Sequence, residues 1–195
     1  MRDDSLVMFD LGNVVLNDID VLDKIVAAYN IESRSFYEEY RAHENDLMTG
    51  DLDTRQYVSY FNKKFSCSLP NEVFGSLFTP KIDEQVKQVI LQLRAKGQTV
   101  ICASNTFADH WDVIERLGVF DLFDRSYASH IIKSAKPDPL FFSKILESEG
   151  KSPGQCLFID DLKENVVSAQ EMGIESLWYV DDDLPKHRKL KTFLS

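Results

Sequence analysis

The stretch LVMFDLGN, residues 6–13, decides how the rest of the chain is interpreted. Its first four residues form a short apolar run that stops at Asp10, and the turn-forming pair Gly12-Asn13 follows at once. A short apolar run bounded by turn signals is typical of a buried strand. In an open α/β sheet, ligands bind in the crevice at the carboxyl ends of the strands. The stretch therefore predicts a buried strand that presents Asp10 at a ligand-binding edge.

Three later segments repeat this arrangement of an apolar strand that leads to polar residues. Their predicted strands are 99–103, which leads to Ser104-Asn105; 126–129, which leads through a short polar stretch to Lys136-Pro137; and 155–159, which leads to Asp160-Asp161. Because the carboxyl ends of parallel strands share one edge of a sheet, we expect these polar side chains to meet Asp10 there.

Helices and strands alternate from about residue 80 onward, whereas the segment between the first strand and residue 80 has helical patterns alone. The helices are predicted over 83–96, 108–117, 138–149 and 162–172, and a last strand over 175–180. Between about residues 20 and 80, apolar residues recur at helical spacing, with segments starting near Val21, Ser35, Thr54 and Pro70. Ser33 or Ser35 is the expected N-cap of the second of these. Alternation of this kind predicts βαβ units and a parallel sheet. The predicted fold is a doubly wound α/β core domain (1–16 and 81–195) with a helical insert (17–80).

Composition limits the classes of function. The chain has 195 residues, 44% of them hydrophobic, and a net charge of −10, which argues against nucleic acid as a partner. Its three cysteines have no metal-binding spacing, and no apolar stretch is long enough to cross a bilayer. We expect no signal peptide ahead of the first strand, a cytoplasmic location, and a monomer or homodimer that has no membrane partner.

The residues at the predicted edge suit phosphoryl transfer. Asp10 is the candidate nucleophile, because a carboxylate can attack phosphorus and form an aspartyl-phosphate. Asp161 and Asp160 can supply oxygen ligands to Mg²⁺, which would neutralise phosphate oxygens. Ser104 and Asn105 can donate hydrogen bonds to the transferring group, and Lys136 can bridge nucleophile and phosphate. A small phosphorylated metabolite is the expected substrate.

Each of these residues also has a structural interpretation. Ser104-Asn105 could cap the helix that follows, Lys136 could be an exposed loop lysine, and Asp160-Asp161 could interact with a helix dipole. Their joint occurrence in order favours the functional interpretation.

The four motifs resemble the haloacid dehalogenase-like (HAD) hydrolase superfamily over nearly the whole chain. FDLGNV (residues 9–14) is similar to the motif of the nucleophilic aspartate, SNT (104–106) to the second motif, KPDP (136–139) to the lysine motif, and FIDD (158–161) to the acidic pair. The resemblance implies an α-helical cap that selects substrate, and metal ligation by Asp10, the Gly12 carbonyl and the acidic pair. The DLGNV form is similar to a bacterial subgroup of sugar-phosphate phosphatases of the glucose-1-phosphate phosphatase type.

One residue departs from the family pattern. Most family phosphatases carry a second aspartate, the general acid/base, where this chain has Gly12. General acid–base catalysis contributes about 10²–10⁴-fold, so we expect a slow phosphatase or one suited to a good leaving group. The alternatives are a metal-independent 2-haloacid dehalogenase and a non-catalytic or weakly active phosphate-binding or phosphoacceptor protein.

Overall fold

The computed structural model describes residues 5–195. Residues 1–4, which the predicted core domain includes, lie outside the described residues. The strands are Leu6–Phe9 (β1), Leu16–Asn17 (β2), Lys81–Ile82 (β3), Thr99–Ser104 (β4), Arg125–Ala128 (β5), Cys156–Asp160 (β6) and Glu175–Trp178 (β7). Five of them form a parallel sheet in the order β5-β4-β1-β6-β7. The predicted doubly wound parallel sheet is thereby confirmed, with β1 at its centre.

Helices cover both faces of this sheet. They are Val21–Tyr29 (α1), Ser33–Thr49 (α2), Thr54–Phe65 (α3), Val73–Ser76 (α4), Glu84–Ala95 (α5), Ala108–Arg116 (α6), Ser129–Ile132 (α7), Pro139–Glu149 (α8), Lys163–Glu171 (α9) and Lys186–Phe193 (α10). Short 3₁₀ helices occur at Val119–Leu122 and Pro153–Gln155.

The residues of β1 alternate between two hydrophobic cores. Val7 and Phe9 belong to the larger core, which includes the apolar residues of the N-terminal helices, whereas Leu6 and Met8 pack with α8 and α9. All four are fully buried. A strand that is covered on both faces is expected to be apolar throughout, as this one is.

Helices α1–α4 lie between β2 and β3, where the sequence predicts the insert. Aromatic side chains hold them together: the rings of Phe36 and Phe61 are 5.2 Å apart between centroids, and those of Tyr57 and Phe74 are 5.9 Å apart. Phe74 also meets Phe107 of the core at 5.5 Å. The domain boundaries at 17 and 80 stay a prediction.

Several local predictions differ from the structure. The N-cap of α2 is Glu32, whose carboxylate accepts the backbone N–H groups of Arg34 and Ser35, so neither Ser33 nor Ser35 caps it. The short fourth helix begins at Val73 and not at Pro70. The antiparallel pair of β2 with β3 has no counterpart in the sequence interpretation, since each strand is only two residues long. Within residues 5–195, no helix combines the length and the apolar character that a membrane span requires.

Candidate active site

The carboxyl ends of three adjacent strands converge at one edge of the sheet. Asp10 directly follows β1 and donates its backbone N–H to the carbonyl of Ile159 at 2.9 Å. Ser104 is the last residue of β4, and Asp160 is the last residue of β6. Because β1 pairs with both of these strands, the residues that the sequence placed at one edge are brought together there.

Lys136 is the centre of this arrangement. Its ammonium donates to Oδ1 of Asp10 at 2.7 Å, to Oδ2 of Asp160 at 2.7 Å and to the carbonyl of Ala103 at 2.9 Å. The side chain is 1% exposed, so all three ammonium donors are satisfied within the protein. One buried ammonium therefore faces two carboxylates.

The surplus of negative charge affects protonation. Burial raises the pKa of Asp10 to about 7, Lys136 opposes that rise, and Asp160 adds to it. Burial alone would lower the pKa of Lys136, but the two carboxylates outweigh it and hold that pKa above its usual range. The pKa of Asp10 therefore lies near neutral pH.

Asp160 is fully buried and held by four hydrogen-bond contacts. Oδ1 accepts from the backbone N–H of Leu162 at 2.8 Å, Oδ2 accepts from Lys136, and the amide of Asn165 lies 3.1 Å from both oxygens. A carboxylate offers about four acceptor positions, so those of Asp160 are engaged. The contact with Asn165 thus orients the carboxylate of Asp160.

Asp161 is more accessible than Asp160. Its Oδ2 accepts from the side-chain amide of Asn13 at 3.0 Å, and its backbone carbonyl accepts from the indole N–H of Trp178 at 2.9 Å. Burial and the neighbouring Asp160 raise the pKa of Asp161, while Asn13 lowers it. Asn13 has a φ of 52°, a left-handed conformation that asparagine tolerates. Neither Asn13 nor Trp178 was assigned a role from the sequence, although Gly12-Asn13 was read as a turn.

Asp10, Asp160 and Asp161 can each place one carboxylate oxygen within 4.8 Å of the others. Oxygen ligands of this charge suit Mg²⁺. Since Asp160 is engaged by four donor contacts, Asp10 and Asp161 fit such an ion better than Asp160 does, and a role for the carbonyl of Gly12 stays a prediction.

The side chain of Asn105 holds the lysine segment in place. Its amide donates to the carbonyl of Lys136 at 2.7 Å, and its Oδ1 accepts the backbone N–H of Lys136 at 2.8 Å. The sequence analysis predicts that this side chain donates a hydrogen bond to the phosphoryl group, whereas in the structure its hydrogen bonds position Lys136. Ser104 is buried, and its hydroxyl makes only a 3.4 Å contact with the carbonyl of Asn105.

Gly12 has no side chain, and Ile19 packs against the space that one would fill. A Cβ built on Gly12 would lie 2.9 Å from Cδ1 of Ile19 and 3.6 Å from Oδ2 of Asp10. A side chain at position 12 therefore requires Ile19 to move. This contact could not be predicted from the sequence, because Ile19 lies outside any motif.

Two cavities meet at Gly12. The first, here called the acidic cleft, has a volume of about 530 Å³ and is lined by Asp10, Lys136, Asp161 and Arg41 among others. The second, here called the apolar chamber, has a volume of about 310 Å³, and its walls include Val21, Leu22, Tyr40, Phe78, Phe107 and Ile114. The residues that line both are Gly12, Ile19, Glu44, Met48 and Asn105. Ser104 lines the chamber and not the cleft.

Comparison with known proteins gives consistent results. A family model described as haloacid dehalogenase-like hydrolase matches residues 5–173. The chain is 24% identical over 180 residues to the sesquiterpene phosphatase astK of Aspergillus oryzae, covering 89% of each chain. It is 25% identical over 124 residues to a glyceraldehyde 3-phosphate phosphatase of Pyrococcus furiosus, covering 63% of this chain and 47% of that one.

Among solved structures, the chain is similar in fold to a HAD family enzyme of Bacteroides thetaiotaomicron that was solved in complex with magnesium and inorganic phosphate. The TM-score is 0.75 at 24% identity, and the match covers 92% of this chain and 97% of that chain.

Proposed function

Because the chain belongs to the haloacid dehalogenase-like hydrolases, we propose that it is a Mg²⁺-dependent phosphatase that hydrolyses a small phosphomonoester through an aspartyl-phosphate on Asp10. The observation that carries this proposal is the buried contact of Lys136 with Asp10 and Asp160, with Asp161 beside them, at the wall of an open cleft. The phosphatases among its relatives support it, one being named a sesquiterpene phosphatase and another a glyceraldehyde 3-phosphate phosphatase. A sugar phosphate, which the DLGNV motif suggested, stays a prediction.

Asp10 is held for in-line attack. Lys136 fixes Oδ1, which leaves Oδ2, the oxygen on the Gly12 side, to act as the nucleophile. The bond from Oδ2 to phosphorus forms while the bond from phosphorus to the ester oxygen breaks, and the leaving alcohol takes a proton from solvent. Water then attacks the aspartyl-phosphate, which releases inorganic phosphate and restores Asp10.

The charges around Asp10 decide whether an anionic group can approach. Lys136 compensates one of the two carboxylates it touches, so the cluster by itself repels phosphate. Asp10, Asp161 and the Gly12 carbonyl would hold Mg²⁺, which supplies the positive charge that the phosphoryl oxygens need. Lys136, held by Asn105, opposes the rise in the pKa of Asp10 and so favours the ionised form that attacks.

Measurement of inorganic phosphate released from phenyl phosphate tests the proposal. We expect turnover that requires Mg²⁺, stops in EDTA and falls by more than about 10⁴-fold in Asp10→Asn, the size of loss seen when a catalytic nucleophile is removed. Asp183→Asn, which changes an exposed aspartate outside both cavities, is the matched control and should keep full activity.

Other outcomes would identify the alternatives. Phosphate release that persists in EDTA or in Asp10→Asn contradicts the mechanism. Chloride release from 2-chloropropionate without metal would support a dehalogenase. Stable labelling of Asp10 by acetyl phosphate without turnover would support a phosphoacceptor protein.

A further inference from the structure

The apolar chamber adjoins the oxygen that attacks. Gly12 and Ile19 line both the chamber and the acidic cleft, and Oδ2 of Asp10 lies 3.6 Å from the place of a Cβ on Gly12. When a phosphoryl group faces Asp10, the ester oxygen lies on the side of phosphorus opposite the nucleophile. The chamber is the cavity that shares a wall with the cleft in which the phosphoryl group would lie.

The walls of the chamber are hydrophobic and well packed. Val21, Tyr40, Phe78, Phe107 and Ile114 are each at most 6% exposed. They come from α1, from α2, from the segment after α4, from the residue before α6 and from α6 itself. Helices of the insert and of the core thus build the chamber together.

His110 adds an uncharged aromatic surface to this wall. Its ring stacks on Phe78 at 3.8 Å between centroids and packs on Phe107 at 4.1 Å. Burial lowers the pKa of His110 to about 3, so the ring is neutral at physiological pH. It therefore offers no positive charge to a ligand.

Two polar groups on the chamber wall are engaged by the protein itself, whereas Nε2 of the buried His110 has no hydrogen-bond partner among the described residues. The side-chain amide of Asn105 is engaged by Lys136. The backbone N–H of Thr106 donates to Oγ of Ser129 at 2.9 Å, and that hydroxyl donates back to the carbonyl of Thr106 at 3.0 Å. A sugar in the chamber would place several of its hydroxyl groups against apolar side chains, where they have no partners, which is unfavourable.

Charge at the chamber excludes a second anionic group. Asp20, Asp23 and Glu44 line it, whereas its described lining residues include neither lysine nor arginine. Asp23 is further engaged by the hydroxyl of Tyr37. A substrate with a carboxylate or a second phosphate in its alcohol portion would meet only negative charge there.

We infer that the chamber binds the alcohol portion of the substrate, and that this portion is uncharged and predominantly apolar. The inference rests on the proposed phosphatase function and narrows its substrate class to monophosphates of hydrophobic alcohols or phenols. Specificity then comes from the fit of an apolar group beside Gly12.

A series of 4-alkylphenyl phosphates, from phenyl to 4-butylphenyl phosphate, tests this inference with Mg²⁺ present. The leaving phenols differ little in acidity, so the series varies apolar size alone. Each methylene that enters the chamber should raise kcat/KM by about three- to fourfold, as expected for burial of a CH₂ group. Phenyl phosphate with a 4-carboxymethyl group should be a poorer substrate than 4-ethylphenyl phosphate.

Variants of Leu22, which is half-buried in the chamber wall, test whether the rise in kcat/KM with chain length comes from binding in this cavity. Leu22→Asn should reduce kcat/KM for 4-butylphenyl phosphate about tenfold more than it reduces that for phenyl phosphate. Leu22→Phe, which fills space, should shift the best substrate to a shorter chain. Leu91→Asn makes the same change at a leucine on α5 that lines neither cavity and should leave the series unaltered.

The outcomes separate the two proposals. The proposed phosphatase function is wrong if no ester releases phosphate, or if the release is unaffected by removal of Mg²⁺ and by Asp10→Asn. If release depends on both but kcat/KM is flat across the series, or if glucose 1-phosphate exceeds 4-butylphenyl phosphate, the function stands and the apolar substrate class is overturned. A chain-length trend that Leu22→Asn and Leu22→Phe leave unchanged would also overturn it, because the apolar group would then bind elsewhere.

Discussion

The acidic cleft and the apolar chamber share a border at Gly12 and Ile19 but are built in different ways. The functional groups of the cleft come from strand ends and one loop, and hydrogen bonds to Lys136 fix them. The chamber is formed mainly by apolar residues, among them Val21 and Ile114 of two helices, and their packing shapes it. The comparison indicates that the arrangement of the cleft depends on a few charged contacts, whereas that of the chamber depends mainly on apolar packing.

Removal of the ammonium is the strongest way to break the cleft while sparing the chamber. Lys136→Met leaves Asp10 and Asp160 buried without a counter-charge, and loss of one partner from a buried ion pair costs about 3–5 kcal/mol. We expect the free energy of unfolding in urea at pH 8 to fall by this amount, and phosphatase activity to be lost.

Lys63→Met, at an exposed lysine of α3, is the control and should change the stability by less than about 0.5 kcal/mol. A Lys136→Met protein as stable as the wild type would show that the buried cluster is not held by charge.

The pH dependence of stability tests the charged contacts of the cleft, because burial raises the pKa of Asp10 there to about 7. The pKa of Asp10 is raised from 3.8 to about 7 in the folded protein. Between these values the folded state holds a proton that the unfolded state has released. The stability of the metal-free protein should therefore decrease as the pH rises from 4 to 7, by about 2–4 kcal/mol.

Asp10→Asn isolates this effect, since asparagine does not titrate. The difference in unfolding free energy between Asp10→Asn and the wild type should grow in favour of the variant across this pH range. Addition of Mg²⁺ at pH 8 should stabilise the wild type more than the variant. A constant difference from pH 4 to pH 8 would contradict the raised pKa.

The border between the two cavities can be tested by restoring a general acid. Gly12→Asp alone places a carboxyl group against Ile19, so the double variant Gly12→Asp/Ile19→Ala provides the space. General acid catalysis contributes about 10²–10⁴-fold. Allowing for imperfect placement, we expect the double variant to hydrolyse an alkyl phosphate about 10–100-fold faster than the Ile19→Ala control.

The gain should be smaller for phenyl phosphate, whose phenolate needs less protonation. Equal rates of the double variant and Ile19→Ala on every ester would contradict the expectation that the lack of a general acid at position 12 limits turnover.

The strand-end residues of the cleft could be predicted from the sequence, and the chamber could not. Asp10 and Asp160 each come at the end of a compact apolar run, and the chain order of Asp10, Ser104, Lys136 and Asp160 matches a known set of motifs. A residue such as Phe78 has no such signal, because an apolar side chain at helical spacing looks the same whether it faces a core or a cavity.

The hydrogen-bond partners of polar side chains also could not be predicted from the sequence. Asn105 follows a strand end, as a phosphate-binding residue would, yet its amide is bound to the backbone of Lys136, 31 positions later. Glu32 replaces the expected serine as the cap of α2, because a glutamate one residue earlier can reach the same N–H groups. Partner choice of this kind depends on the folded backbone and not on local pattern.

The small ribbon of β2 and β3 brings the two ends of the helical segment side by side. Leu16 stands opposite Ile82 in an antiparallel pair, so their Cα atoms are about 5 Å apart. A segment that leaves and rejoins the core through adjacent positions can be shortened, lengthened or exchanged without changing the spacing of the parallel strands. Under the proposed function, changes in the helical segment would alter one side of the chamber and leave the strand-end residues of the cleft in place.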